Sequence, residues 1–268
     1  MSQQVQQFFE NLWHDYIQHT PSAAKIHQVL GGGAPIINDH VAFRTFNIAP
    51  VNLERLAAHF ETMGYEAKGD YQFEQKKLVA KHYEHSDPAL PKIFISELLV
   101  EEFSDKLQKI VHQLVSQVSA SAVEKSNILY SGTHWQISSA DYQSLLAESE
   151  YAAWLAAFGF RANHFTVSVN HLPGFEHLEQ VNEKLKQEGF RLNTSGGEIK
   201  GSKEVLLEQS STLADQTVVR FSDTEKRIPS CFYEFAKRYE EAPNKLYSGF
   251  VAASADKIFE STDAKHAS

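Results

Sequence analysis

Asn38-Asp39-His40-Val41-Ala42-Phe43-Arg44-Thr45-Phe46 is the stretch around which the chain is organised. Val41, Phe43 and Thr45 suit a pleated, half-buried surface, and Pro35 and Pro50 bracket the run, so it reads as a β-strand. Side chains alternate faces along a strand, which puts His40, Ala42, Arg44 and Phe46 on one side. At about 3.3 Å per residue, His40 and Arg44 are then roughly 13 Å apart, a gap that a guanidinium arm can partly close. An imidazole at one end of a pocket and an arginine fork at the other can hold a small anion between metal and cation. Taken alone, the strand also fits a buried, hydrogen-bonded histidine and a surface arginine.

Outward from this strand, the chain of 268 residues is long enough to bury a core as one large domain or two fused modules. A net charge of −9 with no dense Lys/Arg stripe argues against nucleic acid as a partner, because phosphate neutralisation supplies most of that affinity. No stretch approaches the roughly 18 apolar residues of a membrane span. The start, MSQQVQQFFENLWHDYIQ, lacks the basic and apolar regions of a secretory signal, so the expectation is a cytoplasmic protein with no membrane partner. One cysteine, Cys231, excludes an internal disulfide and a thiolate-only metal cage.

On the N-terminal side, residues 3–18 carry Val5, Phe8, Leu12 and Tyr16 at helical spacing. A second short helix runs into Gly31-Gly32-Gly33, which lacks the Gly-Lys-Ser/Thr ending of a phosphate loop and serves to break the helix. On the C-terminal side, Asn52 can cap a helix with Leu53, Leu56 and Phe60, followed by strands over 71–82 and 91–100 with Glu97 near the end of the last. Residues 101–118 and 139–158 return to helical spacing. They flank Ser131-Gly132-Thr133-His134-Trp135, to which no role attaches. The first pattern then recurs: a strand over 162–170 with His164, Thr166, Ser168 and Asn170 on one face, a helix over 175–188, strands over 203–211 and 217–221, and a last strand through Glu234. Asn-Asp-His40 and Ala-Asn-His164 open the two halves and Glu97 and Glu234 close them, a weak internal repeat of element order.

Strands that open and close two such halves can bring His40, His164 and Glu234 together. Two imidazoles and one carboxylate with open positions is the ligand set of non-haem Fe(II) oxygenases, and Zn(II) accepts similar ligands. A lone glutamate on a strand can also be an edge charge facing water. Yet Glu234 shares its face with Ser230, Phe232 and Ala236, where a carboxylate is costly unless it is paired or metal-bound. His59, His82, His85, His112, His171 and His177 read as surface or structural residues.

Four blocks, namely 38–46, Asn163-His164-Phe165-Thr166, Leu207-Glu208-Gln209-Ser210-Ser211-Thr212 and Ile228-Pro229-Ser230-Cys231-Phe232-Tyr233-Glu234-Phe235-Ala236, together resemble the 2-oxoadipate dioxygenase/decarboxylase family. The resemblance implies an α+β fold of two βαβββ modules, similar to the vicinal-oxygen-chelate metalloenzymes, in a cupped mixed sheet around a metal. The order of elements divides the chain into N-terminal helices (1–37), a first module (38–100), a helical insertion (101–160), a second module (161–250) and a tail (251–268) within one domain, in agreement with that fold. The resemblance further implies that His40, His164 and Glu234 bind Fe(II) and that Arg44 binds substrate. The implied reaction consumes dioxygen and a 2-oxo dicarboxylic acid, 2-oxoadipate giving D-2-hydroxyglutarate and carbon dioxide in lysine catabolism. Gln209, Ser211 and Thr166 are further candidates for the substrate pocket. The chain is compact beside the longer family members, which leaves the metal site better supported than the substrate. Two other readings stand: a Zn(II) or Ni(II) isomerase or lyase with Glu97 as a further ligand, and a non-catalytic small-molecule-binding protein. Oligomeric state is not legible, and the tail beyond Ala252 is expected to be exposed.

Overall fold

A computed structural model describes residues 3–262. The strand expected at the centre forms there: β1 (Asn38–Phe46) is buried from His40 onward and lies within an eight-stranded sheet. Ahead of it come α1 (Gln3–His19) and α2 (Pro21–Gly31), the latter ended by Gly32 in the left-handed region at φ 56°, a conformation that glycine adopts without steric cost. After it come α3 (Leu53–Glu61), β2 (Tyr65–Phe73), β3 (Leu78–His85) and β4 (Lys92–Leu98). The connecting region holds α4 (Asp105–Val115), α5 (Ala120–Val123), α6 (Ser139–Glu148) and α7 (Glu150–Phe158). Ser149 splits the single helix expected over 139–158: its extended backbone ends α6, and its side chain accepts from Ala152 N to cap α7.

The second half repeats the first with β5 (Ala162–Ser168), α8 (Leu178–Gln187), β6 (Lys200–Ser202), β7 (Leu207–Ser211) and, after the hairpin β8 (Gln216–Arg220) and β9 (Glu225–Pro229), β10 (Phe232–Arg238). The strand order is β2-β3-β4-β1-β5-β10-β7-β6. Each half pairs its first strand in parallel with its last, β1 with β4 and β5 with β10, and the halves join through antiparallel β1 and β5. This is the paired βαβββ architecture in a curled mixed sheet. The expected strand over 217–221 is not part of it: β8 pairs only with β9, across Phe221-Ser222-Asp223-Thr224, and Lys200–Ser202 supplies the edge strand.

Alternation sorts the two faces of the central strands. On the outer face, Phe165 and Tyr233 meet α1, with Trp13 and Tyr16 ring centroids 5.2 and 4.9 Å from Phe165. The Tyr16 hydroxyl donates to the Phe232 carbonyl, so the N-terminal helix is core packing that also fixes β10. Each such fully buried large apolar side chain contributes about 1.5–3 kcal/mol.

The tail expected to be exposed is instead packed, as far as it is described. Residues 252–258 form α9 (Ala252–Ile258), followed by a 3₁₀ turn, Phe259–Thr262, in which Phe259, Ser261 and Thr262 are buried. α9 packs against both edge strands, β2 and β6, and so straps the open seam of the curled sheet. Residues 263–268 of the expected tail lie outside the described residues.

Candidate metal centre

The inner face of β1, β5 and β10 gathers His40, His164 and Glu234, which are 2%, 5% and 0% exposed. One potential ligand atom from each lies within 4.8 Å of the others. His164 Nε2 is 3.0 Å from Glu234 Oε2, and His40 Nε2 is 3.7 Å from Glu234 Oε1. Ladder register explains the meeting: Thr166 on β5 pairs with both His40 and Glu234, and His164 pairs with Phe232.

Two irregularities in the β1–β5 ladder set the histidines. Between Asn38 and His40 the register slips by one residue, and between Ala42 and Phe43 it slips again. The extra residues are Asp39 and Asn163, the ones that precede the histidines. A bulge re-aims the local side chain, and here each puts an oxygen on its neighbour: Asp39 Oδ1 lies 2.8 Å from His40 Nδ1 and Asn163 Oδ1 lies 3.0 Å from His164 Nδ1. An oxygen acceptor there requires the proton on Nδ1 and leaves the Nε2 lone pair facing the centre. Phe232 stacks on His164 at 4.5 Å, and Phe250 meets His40 edge-on at 4.8 Å.

Burial and neighbouring charge set the ionisation of these groups. Burial pushes the His164 imidazole down in pKa against the pull of Glu234, which keeps it neutral. Burial works to raise the Glu234 carboxyl, and the positive charge that His40 and His164 carry when protonated, with the Gln209 hydrogen bond, brings it down, so the net shift is downward; a cation in the centre would do the same with the imidazoles neutral. Asp39 is likewise pushed up by burial, yet the Arg238 guanidinium and the His40 hydrogen bond hold it far below the usual carboxylate range. Arg238 grips Asp39 through Nε at 2.7 Å and Nη2 at 2.9 Å.

These groups fit a metal ion. Glu234 Oε2 is buried without a hydrogen-bond partner, because the nearby His164 Nε2 offers a lone pair rather than a proton. Two lone pairs and a carboxylate held face to face in a dry site call for a cation between them.

The other expected residues fall as follows. Gln209 Nε2 donates to Glu234 Oε1 at 2.6 Å, and Thr166 Oγ1 lies 3.0 Å from His40 Nε2. Ser211 pairs with Glu234 across β7 and β10, and its hydroxyl meets Ser261 Oγ at 2.9 Å. Arg44 is on the same face of β1 as His40 but is buried at 1% exposed, not on the surface. Its guanidinium lies 4.9 Å from the Tyr151 ring and 5.0 Å from that of Trp154, donates to Thr262 Oγ1 at 3.0 Å and reaches Glu150 at 3.4 Å. Its Nε has no partner. A cavity of about 370 Å³, lined in part by Glu150, Tyr151 and Phe259, opens beside it.

Glu97 is not at the centre. Its Oε2 accepts from Leu53 N at 2.8 Å and caps α3 on the outer face. Register locates the first-half counterpart of Glu234 at Phe94, since Glu234 pairs with the residue two beyond His164 and Phe94 with the residue two beyond His40. The repeat is therefore asymmetric at its chemistry. Of the histidines set aside, His82 is buried between the Tyr71 hydroxyl and Glu84, at 2.8 and 2.9 Å. Sequence reasoning missed Asp39, Asn163 and Arg238. The signal for the first two was present, an oxygen-bearing residue directly before each histidine.

The family model described as 2-oxoadipate dioxygenase/decarboxylase matches residues 8–242. A rice relative named 2-oxoadipate dioxygenase/decarboxylase, chloroplastic/amyloplastic, is 34% identical over 94% of this chain and 77% of its own length. The crystal structure of rice hydroxyglutarate synthase in complex with 2-oxoadipate superposes with a TM-score of 0.90 at 33% identity, covering 97% of this chain and 92% of that one. A Shewanella frigidimarina protein described as a hydrolase superposes at 0.91 with 65% identity, covering 94% of this chain and all of the other. A glyoxalase superfamily protein from Ralstonia eutropha, at 0.73 and 22% identity over 90% of this chain and 83% of that one, shares the fold. The cytoplasmic expectation is corrected by the rice relative, whose name places it in plastids. Charge and hydropathy are set by solubility and carry no address. Among the described residues no helix is long and apolar enough to cross a membrane.

Proposed function

The chain belongs to the 2-oxoadipate dioxygenase/decarboxylase family, an enzyme family, and from that premise we propose that it oxidatively decarboxylates and hydroxylates a 2-oxo dicarboxylic acid at an Fe(II) held by His40, His164 and Glu234. With 2-oxoadipate the overall change is 2-oxoadipate plus dioxygen to 2-hydroxyglutarate plus carbon dioxide, which balances without a further cosubstrate. The observation that carries the reading is the buried Glu234 carboxylate, with one oxygen unpartnered, facing two imidazole lone pairs. A bound ferrous ion would supply dioxygen activation and a Lewis-acidic site for the keto acid.

The chain's own residues do the rest. Asp39 and Asn163 hold the imidazoles in the Nε2-free tautomer. Gln209 fixes one oxygen of Glu234. Arg44 offers its guanidinium to a substrate carboxylate: Nε has no partner and Nη1 is weakly engaged by Glu150, so either can donate a charge-assisted hydrogen bond. Thr166 and Ser211 add hydroxyls to the pocket wall, and Phe232 and Phe250 keep water from the imidazoles. Both modules contribute ligands, so the described chain works as one metalloenzyme domain. The isomerase reading required Glu97 as a ligand and loses its support with Glu97 committed to α3.

The test is oxygen uptake by anaerobically Fe(II)-loaded protein given 2-oxoadipate, with carbon dioxide release followed in parallel. Equal uptake and release supports the reading. Bound iron with no oxygen consumed on any 2-oxo acid overturns it.

A further inference from the structure

The inner face holds a further buried cation, which the chemistry above does not use. Lys200 on β6 is 4% exposed and pairs with Gln209 across the β6–β7 ladder. Opposite residues of an antiparallel pair point to the same face, so Lys200 rises on the side that carries Gln209, Ser211 and Glu234. Its Nζ donates to the carbonyl oxygens of Asn193 at 2.5 Å and Glu198 at 3.4 Å. Among the described residues no carboxylate comes within ion-pair distance; Glu234, Glu260 and Glu198 act on it only through their fields. Burial pushes the amine down to about 8, which leaves it a cation at neutral pH. A buried ammonium ion with neutral acceptors alone is costly, and an anion arriving from the cup removes that cost.

The C-terminal turn marks where such an anion would lie. Asn193, whose carbonyl holds the amine, donates from Nδ2 to Ser261 Oγ at 2.9 Å, and Ser261 Oγ meets Ser211 Oγ at the same distance. The next residue, Thr262, takes the Arg44 guanidinium. Adjacent Cα atoms are about 3.8 Å apart, so one dipeptide links Asn193, which holds the amine, to Arg44. A dicarboxylate carries one charge for each of the two cations.

We propose that Lys200 receives one of the two substrate carboxylates, with Arg44 taking the other, and that it selects dicarboxylic over monocarboxylic 2-oxo acids. The inference rests on the 2-oxo acid reading above and adds the residue that sets substrate class.

The experiment compares 2-oxoadipate with 2-oxohexanoate, the same chain length without the second carboxylate, in wild type and Lys200→Met. Both are followed by KM and by anaerobic calorimetric binding to the Fe(II)-loaded protein. Wild type should prefer the dicarboxylate, and Lys200→Met should shrink that preference by about 30-fold, the worth of one charge-assisted hydrogen bond. A loss of equal factor for both acids, or no loss, overturns the proposal, since a residue that only tethers the 193–198 loop does not distinguish them. Should Lys200→Met fail to fold, the wild-type ratio still decides: equal affinity for the two acids overturns the proposal. If wild type binds neither acid, the 2-oxo acid reading itself fails; if it binds both and only the variant ratio is unmoved, Lys200 alone is wrong.

Discussion

Replacing Asp39 with asparagine separates two tasks that one carboxylate performs. Oδ1 accepts from His40 Nδ1 at 2.8 Å and from Arg238 Nη2 at 2.9 Å, while Oδ2 accepts from Arg238 Nε at 2.7 Å. Asparagine keeps an oxygen for the imidazole, as Asn163 does for His164, but turns an N–H₂ toward the Arg238 Nε–H. The guanidinium, 4% exposed, keeps Oδ1 through Nη2, the carbonyls of Tyr247 and Gly249 and the Phe250 ring, but loses its Nε acceptor and its counter-charge. Removing one partner of a buried ion pair costs about 3–5 kcal/mol, so Asp39→Asn should lose that much in urea unfolding at pH 7. Metal affinity, read by chelator competition, should fall by less than about tenfold, because the His40 tautomer is kept. Asp39→Leu should lose similar stability and about 10–100-fold in affinity as well, the usual loss when the hydrogen bond behind a ligating histidine is removed. A stability loss below about 1 kcal/mol would refute the argument for the buried pair. Equal affinity losses in the two variants would refute the argument for the tautomer.

Glu234→Gln keeps the shape but removes the charge that faces the imidazole lone pairs; elemental analysis should find metal reduced from near one ion per chain to background, and stoichiometric metal would exclude Glu234 as a ligand. Arg44→Ala should raise KM for 2-oxoadipate by roughly 10–100-fold, more than it lowers kcat, and an unchanged KM argues against the clamp. His19 is pushed down to about 4 by burial first and by Arg161 second. The unfolded chain therefore binds more protons than the folded one between pH 6.5 and 4, so stability falls as pH drops through that window. His19→Gln should flatten the slope of melting temperature against pH there, and a parallel slope would exonerate His19.

Much of this arrangement was legible in local pattern. Alternation on both sides of His40 and His164 marked β1 and β5, and the aromatic flanks of Glu234 marked a carboxylate that needed a partner. What local pattern could not supply was register. Glu97 and Glu234 both lie on the strand that closes a module, yet only counting ladder pairs from the histidines shows that Phe94, not Glu97, occupies the matching position. The same limit hid the bulges at Asp39 and Asn163, which exist only relative to the partner strand. Thr217 to Phe221 alternates as a sheet strand does, and nothing within it says that its partner is a local hairpin. The strap was missed because residues 252–262 are small and polar apart from Ile258 and Phe259; their burial comes from the cup they enter, not from their own hydropathy.

That strap also has a place of its own in the chain. Every candidate ligand lies between His40 and Glu234, whereas the residues that cover them, Phe250 on His40 and Thr262 on Arg44, come after Glu234. The ligand set is thus built by the sheet and its cover by the strap, so holding an ion and sealing the seam draw on different parts of the chain.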